Sequence, residues 1–451
     1  MSSSYETHDS WQAFRRITLS EFHKLVNELS SETWVRSSLM ALTPNEVHEL
    51  LFRSLYYDFI GDSFRSSLQP KRTRISNYGK FARFFGFLAR TTKEHPPAQD
   101  VGSHDGVLSI GFFHRHNNFR KEVSKHMNVH EFDARTAVYS PTFPEISRIL
   151  QRVRLPRTSL QLARLLSVSE ILATRPTWPS AILMSGHGIY SGESGALARI
   201  FLAHAKIRGS LLLTLQPGLV HGFASYLDQV EYEGQISDVY LAWGDTEVRM
   251  TARKLDFGSL YASRNLDAEC KPGRQLVLPQ VPGNSSSRPI SFYWGMTRRE
   301  FRDQMPSLLS MCRDFPNPEK TILRCKSPDM PFYSNWAWLP HAQTPSFDSG
   351  DVNTSGRIST YEENWITYPS TALVELNPVS EIHLRLVPAV GSFYPEVGNL
   401  VNRVWDSSRS ADSRHLARAL LAPVRRIGAV EGTHRLIACL REFGLGNLHN
   451  V

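Results

Sequence analysis

The chain has 451 residues, of which 41% are hydrophobic and 21% charged, and carries a formal net charge of +8. The length exceeds one ordinary domain and fits two, each able to bury a sizeable core. Four widely spaced cysteines (Cys270, Cys312, Cys325, Cys439) show no CxxC pairing, which excludes a zinc-ribbon signature and a recognisable disulfide framework and leaves buried reduced thiols. No run of about 18 apolar residues occurs, so no membrane-spanning helix is expected. The segment MSSSYETHDSWQAF lacks the basic and apolar regions of a secretory signal. The expected location is the cytoplasm, with peripheral contact at the inner face of the membrane as an option.

In chain order, residues 11–68 read as helical, because apolar positions recur at helical spacing in ITLSEFHKLVNELS and NEVHELLFRSLYYDFIGDSF. Thr43-Pro44-Asn45-Glu46 is a helix start, with proline tolerated in the first turn. The basic excess concentrates in KRTRISNYGKFARFFGFLAR (71–90), where aromatics interleave with Lys and Arg. That composition fits a helix with a solvated basic face, a membrane-surface patch or a single-strand binder. Nucleic acid is not the expected partner. Residues 91–105 read as a loop.

Four short apolar runs follow: VLSIGFFH (107–114), AILMSGHG (181–188), SLLLTLQPG (210–218) and DVYLAWG (238–244). Uninterrupted runs of this length suit strands buried on both faces. Between the second and third lies SGALARIFLAHAKIRG, an amphipathic helix closed by Gly209. Strand, helix, strand at this spacing predicts a parallel sheet. LPQVPGNSSSRP (278–289) reads as a linker, and the α/β pattern restarts after it, with ISFYWGM (290–296), TILRCKS (321–327) and WITYPSTALVEL (365–376). The segment 328–358 reads as irregular, and the tail from Asp412 as helical. The expected organisation is a helical segment at 1–105, a first Rossmann-like unit at 106–277, a linker at 278–289 and a second such unit at 290–451. The fold class is α/β with two parallel sheets.

Ligands of open parallel sheets bind beyond the carboxyl ends of the strands, and four clusters sit there. Ser185-Gly186-His187-Gly188 runs into Ser191-Gly192-Glu193, where small residues admit a ligand to the backbone and a helix N-terminus follows. His187 or Glu193 is placed to act as a general base, or the stretch is an ordinary glycine-rich turn. Gln216-Pro217-Gly218-Leu219-Val220-His221-Gly222 ends the next strand. Arg324-Cys325-Lys326-Ser327 puts two cations at a strand end, suited to a diphosphate or simply solvated. In Tyr368-Pro369-Ser370-Thr371, either hydroxyl can cap a helix and donate to a phosphate, with Glu375 one turn on. P-loop, GxGxxG, HExxH and GxSxG patterns are missing. No acidic metal motif stands out either, so neither a metal nor a cofactor is expected.

Together these clusters resemble sugar transferases of bacterial surface-polysaccharide loci. The similarity is carried by Gln216, Gly218, Gly222, Glu231, Tyr232, Glu233, Ile236, Ser237, Asp238, Trp243 and Gly244. Pro217 stands where that family has His, and His221 where it has Tyr. Arg324, Pro328 and Asp329 match a later Arg and Tyr-Pro-x-Asp motif, and Ser370-Thr371 with Val374-Glu375 match a phosphate-holding helix start. Sialyl- and Kdo-type capsule transferases share this layout. The resemblance implies a GT-B architecture: two facing Rossmann-like domains with a nucleotide-sugar held mainly by the second. It implies that Arg324, Lys326, Ser327, Ser370, Thr371 and Glu375 bind the donor. It also implies that His187, Glu193 and His221 face a glycan acceptor, with Gln216, Gly218 and Gly222 lining the cleft by their backbone. A non-catalytic binding or scaffold protein of the same layout is the alternative.

Overall fold

The computed structural model describes residues 8–68, 106–114, 116–132, 149, 152–173, 175, 177–190, 192–218, 228–244, 252–260, 271–278, 321–324, 346–348, 361–366, 381–384 and 424–445. Helices α1 (His8–Ser31), α2 (Thr33–Ser38) and α3 (Pro44–Leu68) open the chain. The start of α3 is a capping box. Glu46 accepts from the backbone N–H of Thr43 at 2.7 Å, and the Thr43 hydroxyl accepts from the Glu46 N–H at 3.3 Å. Phe22 of α1 meets Phe52, Tyr56 and Phe59 of α3, with ring centroids 4.9–5.2 Å apart.

A six-stranded sheet follows, with β1 (Val107–Ile110), β2 (Val129–Glu131), β3 (Ala181–Ser185), β4 (Leu211–Leu215), β5 (Val239–Ala242) and β6 (Arg253–Asp256). Its order is β2-β1-β3-β4-β5-β6, and every pairing is parallel. The interleaved helices are α4 (Asn117–Val123), α5 (Pro156–Ala173), α6 (Gly186–Ile189), α7 (Gly192–Ile207) and α8 (Asp228–Ile236). Side chains alternate across the sheet. Leu108, Ile110, Ile182, Met184 and Leu212 enter one core with α1, α3, α5 and α7. Val107, Ala181, Leu183, Leu213, Val239 and Leu241 enter the other. Both faces are covered, which is why these strands read as uninterrupted apolar runs. Gly209 ends α7 at φ +88°, as its sequence position implies. The N-terminal helices pack onto this unit, because α3 lies against α5, α7 and α8.

A second parallel sheet holds β7 (Lys271–Leu278), β8 (Thr321–Arg324), β9 (Ser346–Asp348), β10 (Tyr361–Ile366) and β11 (Glu381–Leu384), in the order β11-β10-β7-β8-β9. The α/β class with two parallel sheets is therefore the one observed.

Three sequence expectations change. Residues 271–277, assigned to the first unit, form most of β7, the central strand of the second sheet, so the boundary between sheets lies upstream of Lys271 rather than at 278–289. Strand β9 falls inside the stretch expected to be irregular. The last helix, α9 (Ala429–Glu442), was assigned to the second unit but completes the first. Leu436, Cys439 and Leu440 are buried with Phe112, Phe113 and Phe119. The segment before α9 is stitched to the first sheet by Arg425 N–H to Trp243 O and Ser259 N–H to Arg425 O, both 2.7 Å. The apolar area of that helix face, not its place in the chain, decides where it packs.

Candidate functional site

In the first sheet the chain leaves β1 toward β2 on one side, while β3 and β4 build out on the other. The switch point, where a crevice opens beyond the strand ends, is therefore between β1 and β3. Here the backbones nest. The Ser185 hydroxyl donates to Gly111 O at 2.6 Å, tying the ends of β3 and β1 together. Gly111 turns the chain away at φ +66°. Gly188 lies so close to β1 that a Cβ there would sit 2.4 Å from Ile110 O. His187 is the second residue of α6, and Glu193 the second residue of α7. The backbone thus brings both sequence candidates to the carboxyl end of β3, beside the switch point. Their side chains lie outside the described atoms.

Gln216 follows β4 and is buried. Its amide nitrogen donates to Gly218 O at 2.9 Å, and its amide oxygen accepts from Trp243 N–H at 3.0 Å. Its side chain is a strut between the ends of β4 and β5. Other residues of the resembling block serve the same frame. Asp238 pairs with Lys206 and accepts from Leu212 N–H at 2.9 Å, and the Ser237 hydroxyl bonds Thr214 and Glu233 O. Gly218 is buried at the strand end, and His221 and Gly222 lie outside the described residues.

Two charged residues that sequence reading did not assign also meet at this edge. Arg199 of α7, 3% exposed, donates to Ile189 O and to Asp58 of α3, each at 2.7 Å, and lies 4.8 Å over the Tyr57 ring. It clamps the end of α6. Glu233 of α8, fully buried, approaches from beneath. Its Oε1 is 3.1 Å from where a Gly186 Cβ would stand, with the Pro217 Cγ at 3.2 Å and the Tyr190 Cε2 at 3.0 Å. Burial and the neighbouring Glu233 push the Tyr240 phenol well above its usual range. The Glu231-Tyr232-Glu233 run was visible in sequence, but nothing there shows which carboxylate points inward.

One turn after Asp58, Asp62 accepts from the N–H groups of Arg157 and Thr158 (2.9 Å each) and from the Thr158 hydroxyl (3.0 Å), capping α5 from outside. Burial lifts its carboxyl to about 6 against the Thr158 hydrogen bonds, which oppose the rise. The folded state therefore holds this proton more tightly than the unfolded chain does. The associated stability is complete below about pH 4 and is lost as pH rises through about 6, on the order of 3 kcal/mol. Urea midpoints measured from pH 4 to 7 should fall over that window, and Asp62→Asn should flatten the slope; an unchanged slope in the variant would assign it to another group.

In the second sheet the switch point lies between β7 and β10. Arg324 is the last residue of β8, beside β7, with Asp348 as its Cα partner on β9. Lys326, Ser327, Ser370, Thr371 and Glu375 lie outside the described residues, as does the basic segment 71–90. Ser370 and Thr371 follow the end of β10 at Ile366 by four and five positions. No helix among the described residues is long and apolar enough to cross a membrane.

No protein-family model matches the chain. No curated protein matches it either. Among solved structures, MurG from Acinetobacter baumannii aligns at 10% identity and a TM-score of 0.38, over 75% of this chain and 99% of that one. A protein described as a UDP-N-acetylglucosamine 2-epimerase from Listeria monocytogenes aligns at 10% identity and a TM-score of 0.36, over 76% and 97%. Scores this low do not place two chains in one fold, and the strand orders above stand on the hydrogen bonding of this chain alone.

Proposed function

We propose that this protein is a metal-independent, GT-B-type glycosyltransferase-like enzyme that moves a sugar from a nucleotide-sugar to a glycan acceptor in surface-polysaccharide biosynthesis. The observation that carries this reading is the topology of the second sheet. From edge to edge it runs β9-β8-β7-β10-β11, the chain order 3-2-1-4-5 that begins the doubly wound, nucleotide-binding order 3-2-1-4-5-6. Strand β10, beside its switch point, and β8, one strand further on across β7, lead into the residues that the sequence reading gave to the donor. Arg324 ends β8, and Ser370 and Thr371 follow β10. Arg324 and Lys326 neutralise the diphosphate, the Ser327, Ser370 and Thr371 hydroxyls donate hydrogen bonds to it, and Glu375 takes the ribose or base side.

At the first sheet's crevice, His187, Glu193 or His221 takes the proton of the acceptor hydroxyl. Its oxygen forms the new bond to the anomeric carbon, and the nucleotide leaves with the electron pair of the broken bond.

The test is a thermal-shift series with CMP, UDP, GDP and their common sugar conjugates. A ligand that binds only the folded state at about 100 times its Kd adds about 2.7 kcal/mol of stability. One nucleotide class should raise the melting temperature, and Arg324→Ala should weaken that binding by about 10-fold or more, the loss of a charge-assisted hydrogen bond. Absence of a shift with every nucleotide would overturn the donor site and favour a scaffold that binds glycan without transfer.

A further inference from the structure

We infer that the second sheet is an insertion, carried by the first unit on two chain segments locked side by side, and that it opens and unfolds by itself while the first unit stays closed. Three observations lead to it.

The first is the crossing. The chain leaves the first unit after Leu260 and re-enters it at Val424, and the whole second sheet lies between these points. Exit and return run side by side. Ser259 N–H donates to Arg425 O at 2.7 Å, and Ile427 N–H donates to Ser259 O at 3.0 Å, a short parallel pairing. Both segments are anchored on the end of β5. Arg425 N–H donates to Trp243 O at 2.7 Å, and Gly258 N–H to Ala242 O at 2.8 Å. Gly258 takes φ +108°, and a Cβ there would stand 2.8 Å from Ile427 Cγ2, so glycine is what lets the two segments close on one another.

The second is what the returning segment completes. Ile427, Leu436, Cys439 and Leu440 are buried with Phe119, Leu241 and Phe257. Arg425 pairs with Asp256 at 2.7 Å, and the Arg435 guanidinium donates to Asp256 O at 2.9 Å. Residues from both sides of the crossing therefore share one core and one set of polar contacts.

The third is the connectivity of the second sheet. Its central strand β7 pairs with β8 and β10, and these carry the edges β9 and β11. Among the described elements, the closest packing of these five strands is with one another. Cooperative units follow shared buried contacts rather than continuity of the chain. Loss of the second sheet leaves exit and return still bonded to each other and to β5, with α9 still seated on the first core.

The experiment is hydrogen exchange of the full chain, followed by mass spectrometry at rising sub-denaturing urea. Peptides of β4, β5 and α9, with those that hold Ser259, Arg425 and Ile427, should share one opening free energy. Peptides of β7, β8 and β10 should share a different one. Val277→Pro removes a ladder donor in the central strand, where Val277 stands between Leu323 and Trp365. It should speed exchange in β7, β8 and β10 by about 100-fold or more and change β4, β5 and α9 by less than about 3-fold. Ile427→Ala, which empties a buried site between exit and return, should do the reverse, by about 30-fold or more in β4, β5 and α9. A common opening free energy for all peptides of the unmodified chain, or equal acceleration of both sets in either variant, would overturn the inference. The unmodified chain alone decides if a variant does not fold. No nucleotide is added, so the outcome is separate from that of the donor reading.

Discussion

Arg199→Met is expected to destabilise the protein by about 3–5 kcal/mol, the cost of leaving a buried charge without its partner. Arg199 and Asp58 are both buried, at 3% and 7% exposure, and their 2.7 Å ion pair joins helices 141 positions apart in sequence. Removing the cation strands the Asp58 carboxylate and also orphans Ile189 O. Arg199→Lys should rescue little, because a single ammonium cannot reproduce the fork that reaches both acceptors. The double variant Asp58→Leu/Arg199→Met separates the two effects. It removes both charges, so the pair's contribution should largely vanish. What remains, about 1–3 kcal/mol, measures the unsatisfied carbonyl at the end of α6. Urea midpoints of the three variants decide this. A double variant as unstable as Arg199→Met alone would show that the clamp on the turn, not the ion pair, is what the fold depends on.

The contrast between this pair and the strands shows where sequence is transparent. Ala181–Ser185 and Leu211–Leu215 announce themselves because both faces are covered, so no polar position interrupts the run. The edge strands do not. Val129–Glu131 and Arg253–Asp256 each pair on one side only and carry charged residues that suit an exposed edge, so they look like loop. Strand β7 was hidden for another reason. It carries Pro272 and Gly273, residues that strands seldom hold, and the structure accommodates them in the irregularity where Tyr361 pairs Lys271 but Glu363 pairs Gln275. The linker-like composition of 278–289 placed the boundary after this strand rather than before it.

At the candidate site the glycine-rich turn was legible because close approach leaves a compositional mark. Arg199 and Glu233 were not, because a charge on a helix looks the same in sequence whether it faces water or the core. Only the packing of α3, α7 and α8 turns them inward. Gln216 was read for its backbone at the cleft, and sequence gives no sign that its side chain braces the ends of β4 and β5.

Gly188→Ala should be the most damaging glycine-to-alanine change among the described residues, costing about 3 kcal/mol or more by forced displacement of backbone. The added Cβ would lie 2.4 Å from Ile110 O and 2.6 Å from its carbonyl carbon, and neither atom can swing aside as a side chain would. Ile110 is fixed by its pairing with β3, where it stands opposite Met184. Relief can come only by lifting α6 off the end of β1, which pulls on the Ser185–Gly111 hydrogen bond and on the Arg199 contact with Ile189. Gly106→Ala is the matched control. Its Cβ would meet only Asn128 O at 3.8 Å, an ordinary contact, so the change should stay within about 0.5 kcal/mol. If urea midpoints placed Gly188→Ala beside the control, α6 would not be nested on β1 in solution. If the large loss appears, the tightest approach at a glycine among the described residues lies at the topological switch point of this sheet, where a ligand crevice is expected. The glycine there then serves packing as much as access, and the turn that carries His187 has almost no freedom to move without unfolding its surroundings.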